Sequence, residues 1–154
     1  MKSTRVGVIS DTHGLLRPEV APIFEGVDLI LHAGDIGNPE VLEGLRTIAP
    51  VIAVRGNNDS GGWAKRIPEV QIANAGAVSI YMLHDVKELA PEAARDFQVV
   101  VSGHSHRPSV ATRNGVLFLN PGSAGPRRFK LPISVARLTI EGSSVRVELT
   151  ELAP

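Results

Sequence analysis

The sequence predicts an α/β domain built on a pair of β-sheets, and two patterns along the chain support this. In the first third, apolar strands alternate with short helices, which is typical of a parallel sheet. In the remainder, strands joined by short turns predominate, which favours antiparallel hairpins. The 154 residues are enough for a single domain with its own core, predicted over residues 1–154.

Three short apolar strands define the first third of the chain. They are predicted at Val6–Ile9, Val27–His32 and Val51–Val54. Pro18 is well placed to begin a helix that continues over Glu19–Phe24. Asn38 predicts an N-cap before Pro39, for a helix that continues through Leu45.

The later strands are predicted mainly as hairpins. The pairs are Glu69–Ala73 with Ala77–Leu83, separated by Asn74–Gly76, and Val135–Ile140 with Val145–Leu149, separated by Glu141–Ser144. Between the hairpins, strands are predicted at Val99–Ser102 and Val116–Leu119. Val86–Arg95 is a helix candidate that Pro91 can interrupt.

Composition narrows the classes of function. Sixteen basic and sixteen acidic side chains give a formal net charge of zero, which argues against a generic nucleic-acid or membrane-surface binder. The absence of cysteine excludes a disulfide framework, a thiolate zinc site and a cysteine nucleophile. Aromatic residues make up only 4% of the chain, so the core is predicted to consist of Val, Ile, Leu and Ala. We find no signal-peptide core or membrane-length apolar run, and predict a cytoplasmic protein.

Side chains suited to metal binding follow the predicted strands, at the points where the strands end. The residues are Asp11, His13, Asp35, Asn57, His84, His104 and His106. Because loops at the carboxyl ends of strands converge in open α/β sheets, these side chains are expected to meet at one edge of the fold. Imidazole, carboxylate and amide donors without sulfur suit a borderline-to-hard divalent cation.

Taken singly, these motifs leave alternatives open. Asp11-Thr12-His13 places two ligands on one face of an extended segment, but such a segment is more often a turn. Gly34-Asp35 and Asn57 also fit turns, and His84 fits a buried core histidine. Gly103-His104-Ser105-His106 is harder to explain structurally, because two imidazoles at this spacing can reach two ions roughly 3.5–4 Å apart.

In combination, the motifs resemble those of the calcineurin-like metallophosphoesterases. In chain order they are Asp11-x-His13, Gly34-Asp35, Gly56-Asn57-x-Asp59, His84 and Gly103-His104-x-His106. Within that family the chain resembles the small single-domain phosphodiesterases of bacteria and archaea. The resemblance extends from Val6 to about Arg128, because Asn120-Pro121-Gly122-Ser123 also matches a segment that follows the last His motif.

The resemblance implies a four-layer α/β/β/α sandwich of two mixed β-sheets flanked by helices, and a dinuclear metal site. It implies that one ion is bound by Asp11, His13 and His106, the other by Asn57, His84 and His104, and that Asp35 bridges them. Mn²⁺ is the ion that the resemblance favours first, with Ni²⁺, Fe²⁺ or Zn²⁺ as alternatives.

The reaction implied is hydrolysis of a phosphoester, with a phosphodiester favoured, by in-line attack of a metal-bridging hydroxide on phosphorus. Two divalent ions and two aspartates leave about two positive charges, which suits an anionic substrate. The residues predicted to be catalytic are Asp35, Asn57, Asn58 and Asp59, and those predicted to contact the substrate are Arg55 and Asn58.

Asn58 and Asp85 depart from the family pattern. Most large members have a histidine at the position of Asn58, as the acid for the leaving group, and an amide cannot deliver that proton. This predicts dependence on good leaving groups or protonation by water. Asp85 stands directly after His84, where glycine is frequent, and is either near a ligand or solvated.

Several other residues have two interpretations each. His32 is predicted either to orient Asp35 or to be a plain strand-end histidine. Arg55 either holds a phosphate oxygen or forms a surface salt bridge. Arg127 and Arg128 either attract phosphate or form a solvated face, and Trp63 is more often packed than available for stacking on a leaving group.

The expected partner is a small phosphoester, with no specific nucleic acid and no membrane, and a homo-oligomer is left open. Two rival functions remain. One is a phosphomonoesterase or phosphatase on the same site, and the other is a protein-binding scaffold on the same fold.

Overall fold

Two five-stranded mixed sheets pack face to face in the computed structural model, which describes residues 3–152. Residues 1–2 and 153–154 of the predicted domain lie outside this range. In chain order the strands are β1 (Thr4–Ile9), β2 (Leu29–His32), β3 (Val51–Ala53), β4 (Val70–Ala75), β5 (Val78–Leu83), β6 (Val99–Val101), β7 (Ser109–Arg113), β8 (Val116–Asn120), β9 (Ser134–Glu141) and β10 (Ser144–Glu151).

The helices are few and short. They are α1 (Val20–Ile23), α2 (Pro39–Arg46), α3 (Gly62–Lys65) and α4 (Pro91–Ala94), with a 3₁₀ turn over Val86–Glu88. As predicted, Asn38 caps α2, because its side-chain oxygen accepts a hydrogen bond from the Val41 backbone N–H at 3.2 Å. Within residues 3–152, no helix is long and apolar enough to cross a membrane.

Both sheets combine parallel and antiparallel pairs, which confirms the predicted mixed architecture. The first sheet has the order β10-β9-β1-β2-β3, in which β1, β2 and β3 run parallel and β9 and β10 are antiparallel additions. The second has the order β4-β5-β6-β8-β7, in which β5, β6 and β8 run parallel. Six strands therefore run parallel, and the candidate ligands begin at the edge where five of them, β1, β2, β3, β5 and β6, end.

The core lies mainly between the two sheets. Its buried side chains are almost all aliphatic, as the composition predicts; among them are Val8, Leu31, Ile80, Val101 and Leu138. Two further apolar clusters lie on the outer faces of the sheets. One packs α1 and α2 against the first sheet, and the other, much smaller, packs α4 against the second. The order of layers is therefore helix, sheet, sheet, helix, with a thin fourth layer.

Three sequence predictions of local structure need correction. The strand β7 was not predicted, because its side chains are mostly exposed and polar and show no apolar alternation. The helix expected over Val86–Arg95 is divided into the 3₁₀ turn and α4, because Pro91 cannot continue a helix and instead begins one. The turn between β4 and β5 is two residues, Gly76 and Ala77, with Gly76 at a φ of 59°.

Candidate metal centre

The predicted ligands meet at one edge of the sandwich, where strands of both sheets end. Asp11 and His13 follow β1, and Asp35 follows β2. Asn57 follows β3, and His84 directly follows β5. His104 and His106 follow β6. The structure therefore brings together seven side chains from five segments that are far apart in the sequence.

The backbone is strained at most of these ligands. Seven residues other than glycine have a positive φ within residues 3–152, and five of them are candidate ligands. Their φ angles are 54° at Asp11, 46° at His13, 55° at Asp35, 71° at His104 and 65° at His106. Such conformations cost energy and are concentrated at functional sites in folded proteins, so the strain marks these five residues as a functional set.

The histidines and aspartates form two groups, each with three ligand atoms within 4.8 Å of one another. The groups are Asp11, His13 and His106, and Asp35, His84 and His104. Asn57 lies beside the second group, with its Oδ1 atom 3.2 Å from Nδ1 of His104. Donor sets of imidazole nitrogens and carboxylate oxygens, three to a group, suit divalent ions.

Oδ1 of Asp11 lies at the centre of the cluster with no hydrogen-bond partner, although it is buried. Three imidazole Nε2 atoms surround it, at 3.4 Å from His106, 3.8 Å from His13 and 3.9 Å from His84. The other oxygen, Oδ2, is fixed by the hydroxyl of Ser10 at 2.7 Å and the backbone N–H of His104 at 3.1 Å. A buried carboxylate oxygen without a donor needs a cation, so the residues present fit a metal ion.

His84 is oriented with one nitrogen towards the cluster. Its Nδ1 atom donates to the backbone carbonyl of Ala33 at 2.7 Å, which leaves Nε2, buried and without a partner, for a ligand. Nε2 lies 3.2 Å from Oδ2 of Asp35. Burial alone would lower the pKa of His84, but Asp35, the Ala33 carbonyl and Asp11 together raise it above its usual value. The pocket thus attracts positive charge.

The two carboxylates remain ionised for the same reason. Burial alone would raise the pKa of Asp11, but the imidazole of His106 beside it, the hydrogen bond from Ser10 and the charge of His84 hold it below the usual value. Burial likewise opposes ionisation of Asp35, but the imidazole of His84 beside it and the hydrogen bonds from Asn58 bring its pKa well below the usual range. Both aspartates are therefore available as anionic ligands at neutral pH.

Asp35 lies between the two groups, as a bridging ligand must. Its Oδ2 atom is 3.2 Å from Nε2 of His84 in its own group and 3.8 Å from Nε2 of His13 in the other. Asn58 fixes both oxygens: its backbone N–H donates to Oδ1 at 2.9 Å and its side-chain amide to Oδ2 at 3.1 Å. Gly56 permits this approach, because a Cβ there would collide with the backbone nitrogen and Oδ1 of Asp35.

Asp59 contacts backbone rather than the cluster. Its carboxylate accepts hydrogen bonds from the N–H groups of Gly56 at 2.9 Å, Gly37 at 3.0 Å and Ile36 at 3.1 Å. It thereby joins the loop after β3 to the loop that carries Asp35. These contacts give Asp59 a positioning role, whereas the sequence predicted it among the catalytic residues.

His32 also acts through the backbone and does not contact Asp35. Its Nδ1 atom accepts from the Gly34 N–H at 3.1 Å, so Nε2 carries the proton and donates to the Thr12 hydroxyl at 3.0 Å. Thr12 in turn donates to the Ile36 carbonyl at 2.8 Å. Complete burial lowers the pKa of His32 to about 4, despite the nearby charge of Asp11. His32 is therefore a neutral link between the loops of Asp11 and Asp35.

The remaining predicted residues lie around the cluster. Arg55 borders the cleft beside Asn57. Of its two predicted roles, it forms the surface salt bridge, with Glu69 at 2.7 Å. Asp85 accepts from the Lys87 backbone N–H at 3.1 Å and lies 3.9 Å from His104, close to the site. Trp63 packs, half-buried, against the apolar cluster beneath α2.

Two positioning residues were not singled out from the sequence. Asn120, buried at the end of β8, donates to the Gly103 carbonyl at 2.9 Å and the Ser105 hydroxyl at 3.1 Å. Ser123 donates to the Asp11 carbonyl at 3.0 Å. Both belong to the Asn120–Ser123 segment that the family resemblance included, so the segment was found but the contacts were not.

Comparison with known proteins agrees with this geometry. The family model of the calcineurin-like phosphoesterase superfamily domain matches residues 4–143. A probable metallophosphoesterase of Methanothermobacter thermautotrophicus is 35% identical, and the alignment covers 94% of this chain and 90% of the relative. A phosphodiesterase of Methanocaldococcus jannaschii is 28% identical, and the alignment covers 77% of this chain and 82% of the relative. The crystal structure of a predicted phosphoesterase from Streptococcus pneumoniae aligns with a TM-score of 0.75 and 28% identity over 98% of this chain and 91% of its own. The chain belongs to the calcineurin-like phosphoesterase superfamily.

Proposed function

We propose that the protein is a metal-dependent phosphodiesterase. The observation that carries the proposal is the position of Asp35, whose Oδ2 atom lies within 4 Å of an imidazole from each of the two ligand groups. A carboxylate shared in this way is the feature that couples two ions into one catalytic site. The substrate is a small phosphoester.

The first ion would be held by Asp11, His13 and His106, and the second by His84, His104 and Asn57, with Asp35 shared. Two divalent ions supply Lewis acidity that activates water as the nucleophile and offsets negative charge on the phosphoryl oxygens. We propose Mn²⁺ as the working ion, since nitrogen and oxygen donors without sulfur accept it readily.

The chain itself orients the ligands and shapes the choice of substrate. Asn58 holds both oxygens of Asp35, so its amide is occupied in positioning and has no acidic proton for a leaving group. In the overall reaction, water adds to phosphorus, the P–O bond to the leaving group breaks, and a solvent proton neutralises the departing oxygen. A leaving group that is stable as an anion is therefore favoured, as in an aryl diester.

The M. jannaschii relative is named a phosphodiesterase, which supports the same choice. The same metal site also suits a phosphomonoester, which carries a second negative charge. Hydrolysis of monoesters is the rival phosphatase function. Parallel rates on p-nitrophenyl phosphate and bis(p-nitrophenyl) phosphate separate the two, and we expect the diester to be hydrolysed faster.

The test uses purified protein, bis(p-nitrophenyl) phosphate and added Mn²⁺. We expect hydrolysis that stops with a chelator and returns with Mn²⁺, and that falls at least 100-fold in Asp35→Asn, on the scale typical of lost charge stabilisation. Asp96→Asn, which changes an exposed carboxylate far from the cluster, is the matched control and should retain activity. Hydrolysis that persists in chelator, or in Asp35→Asn, would overturn the proposal.

A further inference from the structure

Beyond the ligands, the cleft has two sides of opposite charge that meet at His104. One side is acidic, with Glu69 and Glu88 along it, and its arginine, Arg55, is already paired with Glu69. Asp85, like His104, borders both sides. The other side carries the cations. An anionic substrate with two unequal halves would therefore enter in one orientation only.

The cationic side is a cavity of about 400 Å³, which we call the basic pocket; it lies within the size range of small-molecule sites. Lys87, Arg107 and Arg128 line it, each from a different segment: the 3₁₀ turn, the loop after β6 and the loop before β9. Within residues 3–152, no carboxylate forms a salt bridge with any of these three cations. Asp85 is the one carboxylate that lines the basic pocket, so the three cations leave an excess of positive charge for a ligand.

Phe129 supplies an aromatic surface at the rim of the basic pocket. Its side chain is 89% exposed, far more than any other large apolar side chain of residues 3–152. Its φ of 55° lies in the left-handed region that residues other than glycine rarely adopt. An exposed aromatic ring beside cations is the combination that binds the flat face of a base or aryl group next to a phosphate.

The floor of the basic pocket is fixed. Asn120 is buried and holds the loop of Gly103 and Ser105 through two hydrogen bonds. Ser105 in turn accepts from the Arg107 backbone N–H at 3.2 Å. The same loop carries His104, so a ligand in the basic pocket is adjacent to the metal centre.

We propose that the basic pocket binds one half of the phosphodiester substrate, and that this half is a nucleotide carrying a second phosphate. Its base stacks on Phe129, and its second phosphate is held by Arg128 and Arg107, while the reacting phosphate lies at the cluster. This assignment rests on the proposed phosphodiesterase function and adds the substrate class to it.

The test compares three p-nitrophenyl diesters with the same leaving group. They are methyl p-nitrophenyl phosphate, the p-nitrophenyl ester of thymidine 5′-phosphate, and the same ester with an added 3′-phosphate. We expect wild-type kcat/KM to rise about tenfold from the first to the second through stacking, and again from the second to the third through charge.

Variants assign each step to a residue. Phe129→Ala should lower kcat/KM about tenfold on both thymidine esters and leave the methyl ester within twofold. Arg128→Ala should abolish the gain from the 3′-phosphate. Arg127→Ala, a change of equal charge at an exposed neighbour that does not line the basic pocket, is the control and should change nothing beyond twofold.

Binding of thymidine 3′,5′-bisphosphate, measured by calorimetry with Mn²⁺ present, tests the pocket without catalysis. We expect about tenfold weaker binding in Phe129→Ala and in Arg128→Ala, and unchanged binding in Arg127→Ala. Equal kcat/KM for the three esters, or equal effects of Arg127→Ala and Arg128→Ala, would overturn the assignment. If no ester is hydrolysed but the binding pattern holds, the phosphodiesterase function fails and the pocket stands.

Discussion

Asp59 joins the two loops that carry the central ligands, so its removal tests whether the site depends on this connection. The substitution Asp59→Ala takes away one buried carboxylate and leaves three backbone N–H groups without their acceptor: those of Gly56, Gly37 and Ile36. Hydrogen bonds to a charged partner contribute about 1.5–3 kcal/mol each. Because water reaches part of this space after truncation, we expect a loss of about 3–5 kcal/mol rather than the full sum.

A loss of that size corresponds to a melting temperature lower by roughly 10 °C for a chain of this length. The assay is thermal or urea unfolding in chelator, so that metal loss does not contribute. Asp96→Ala removes an exposed aspartate and should stay within about 0.5 kcal/mol of wild type. If Asp59→Ala unfolds within 1 kcal/mol of Asp96→Ala, at the precision of such measurements, Asp59 does not hold the loops together and the reasoning is wrong.

Three further predictions concern proton transfer, acid stability and close packing. Asn58→His places an imidazole at the position where this chain lacks an acid for the leaving group. We expect at least a tenfold higher rate of hydrolysis on a dialkyl diester and little gain on an aryl diester. Equal gains on both diesters would contradict the leaving-group argument. His32 takes up a proton near pH 6.5 in the unfolded chain and only near pH 4 in the folded one. Its contribution to the free energy of unfolding, on the order of 3 kcal/mol, is therefore complete above pH 6.5 and lost as the pH falls to 4. Urea titrations should show this component in wild type and not in His32→Gln. Gly56→Ala should lower stability by about 1–3 kcal/mol and weaken Mn²⁺ binding, because the added Cβ meets Asp35, whereas Gly62→Ala, with open space around it, should do neither.

The sequence alone was sufficient to predict where the candidate ligands lie, because each follows a short apolar run that was predicted as a buried strand. His104 and His106 after β6 and Asp35 after β2 are examples. The mixed pair of sheets follows from the change between helical connections and hairpins. The edge strand β7 was not predicted, because its side chains are mostly exposed and do not alternate between buried and exposed positions.

The roles of Asp59 and His32 could not be predicted, because their partners are backbone groups of distant loops. Nothing in the sequence Gly56-Asn57-Asn58-Asp59 indicates that the carboxylate accepts from Ile36 and Gly37. The basic pocket was missed in the same way, since Lys87, Arg107 and Arg128 are brought together only by the tertiary fold. Sequence patterns therefore identified the candidate metal ligands but not the groups that hold them in place.

The number of ions bound per chain tests the central claim most directly. Protein freed of metal with chelator is equilibrated with Mn²⁺, dialysed and analysed for bound metal. We predict two ions per chain in the wild type, two in the control Asp96→Ala, and one in His106→Ala and in His84→Ala, since each of these removes a ligand from a different group. A wild-type chain that retains one ion or none would contradict the dinuclear centre.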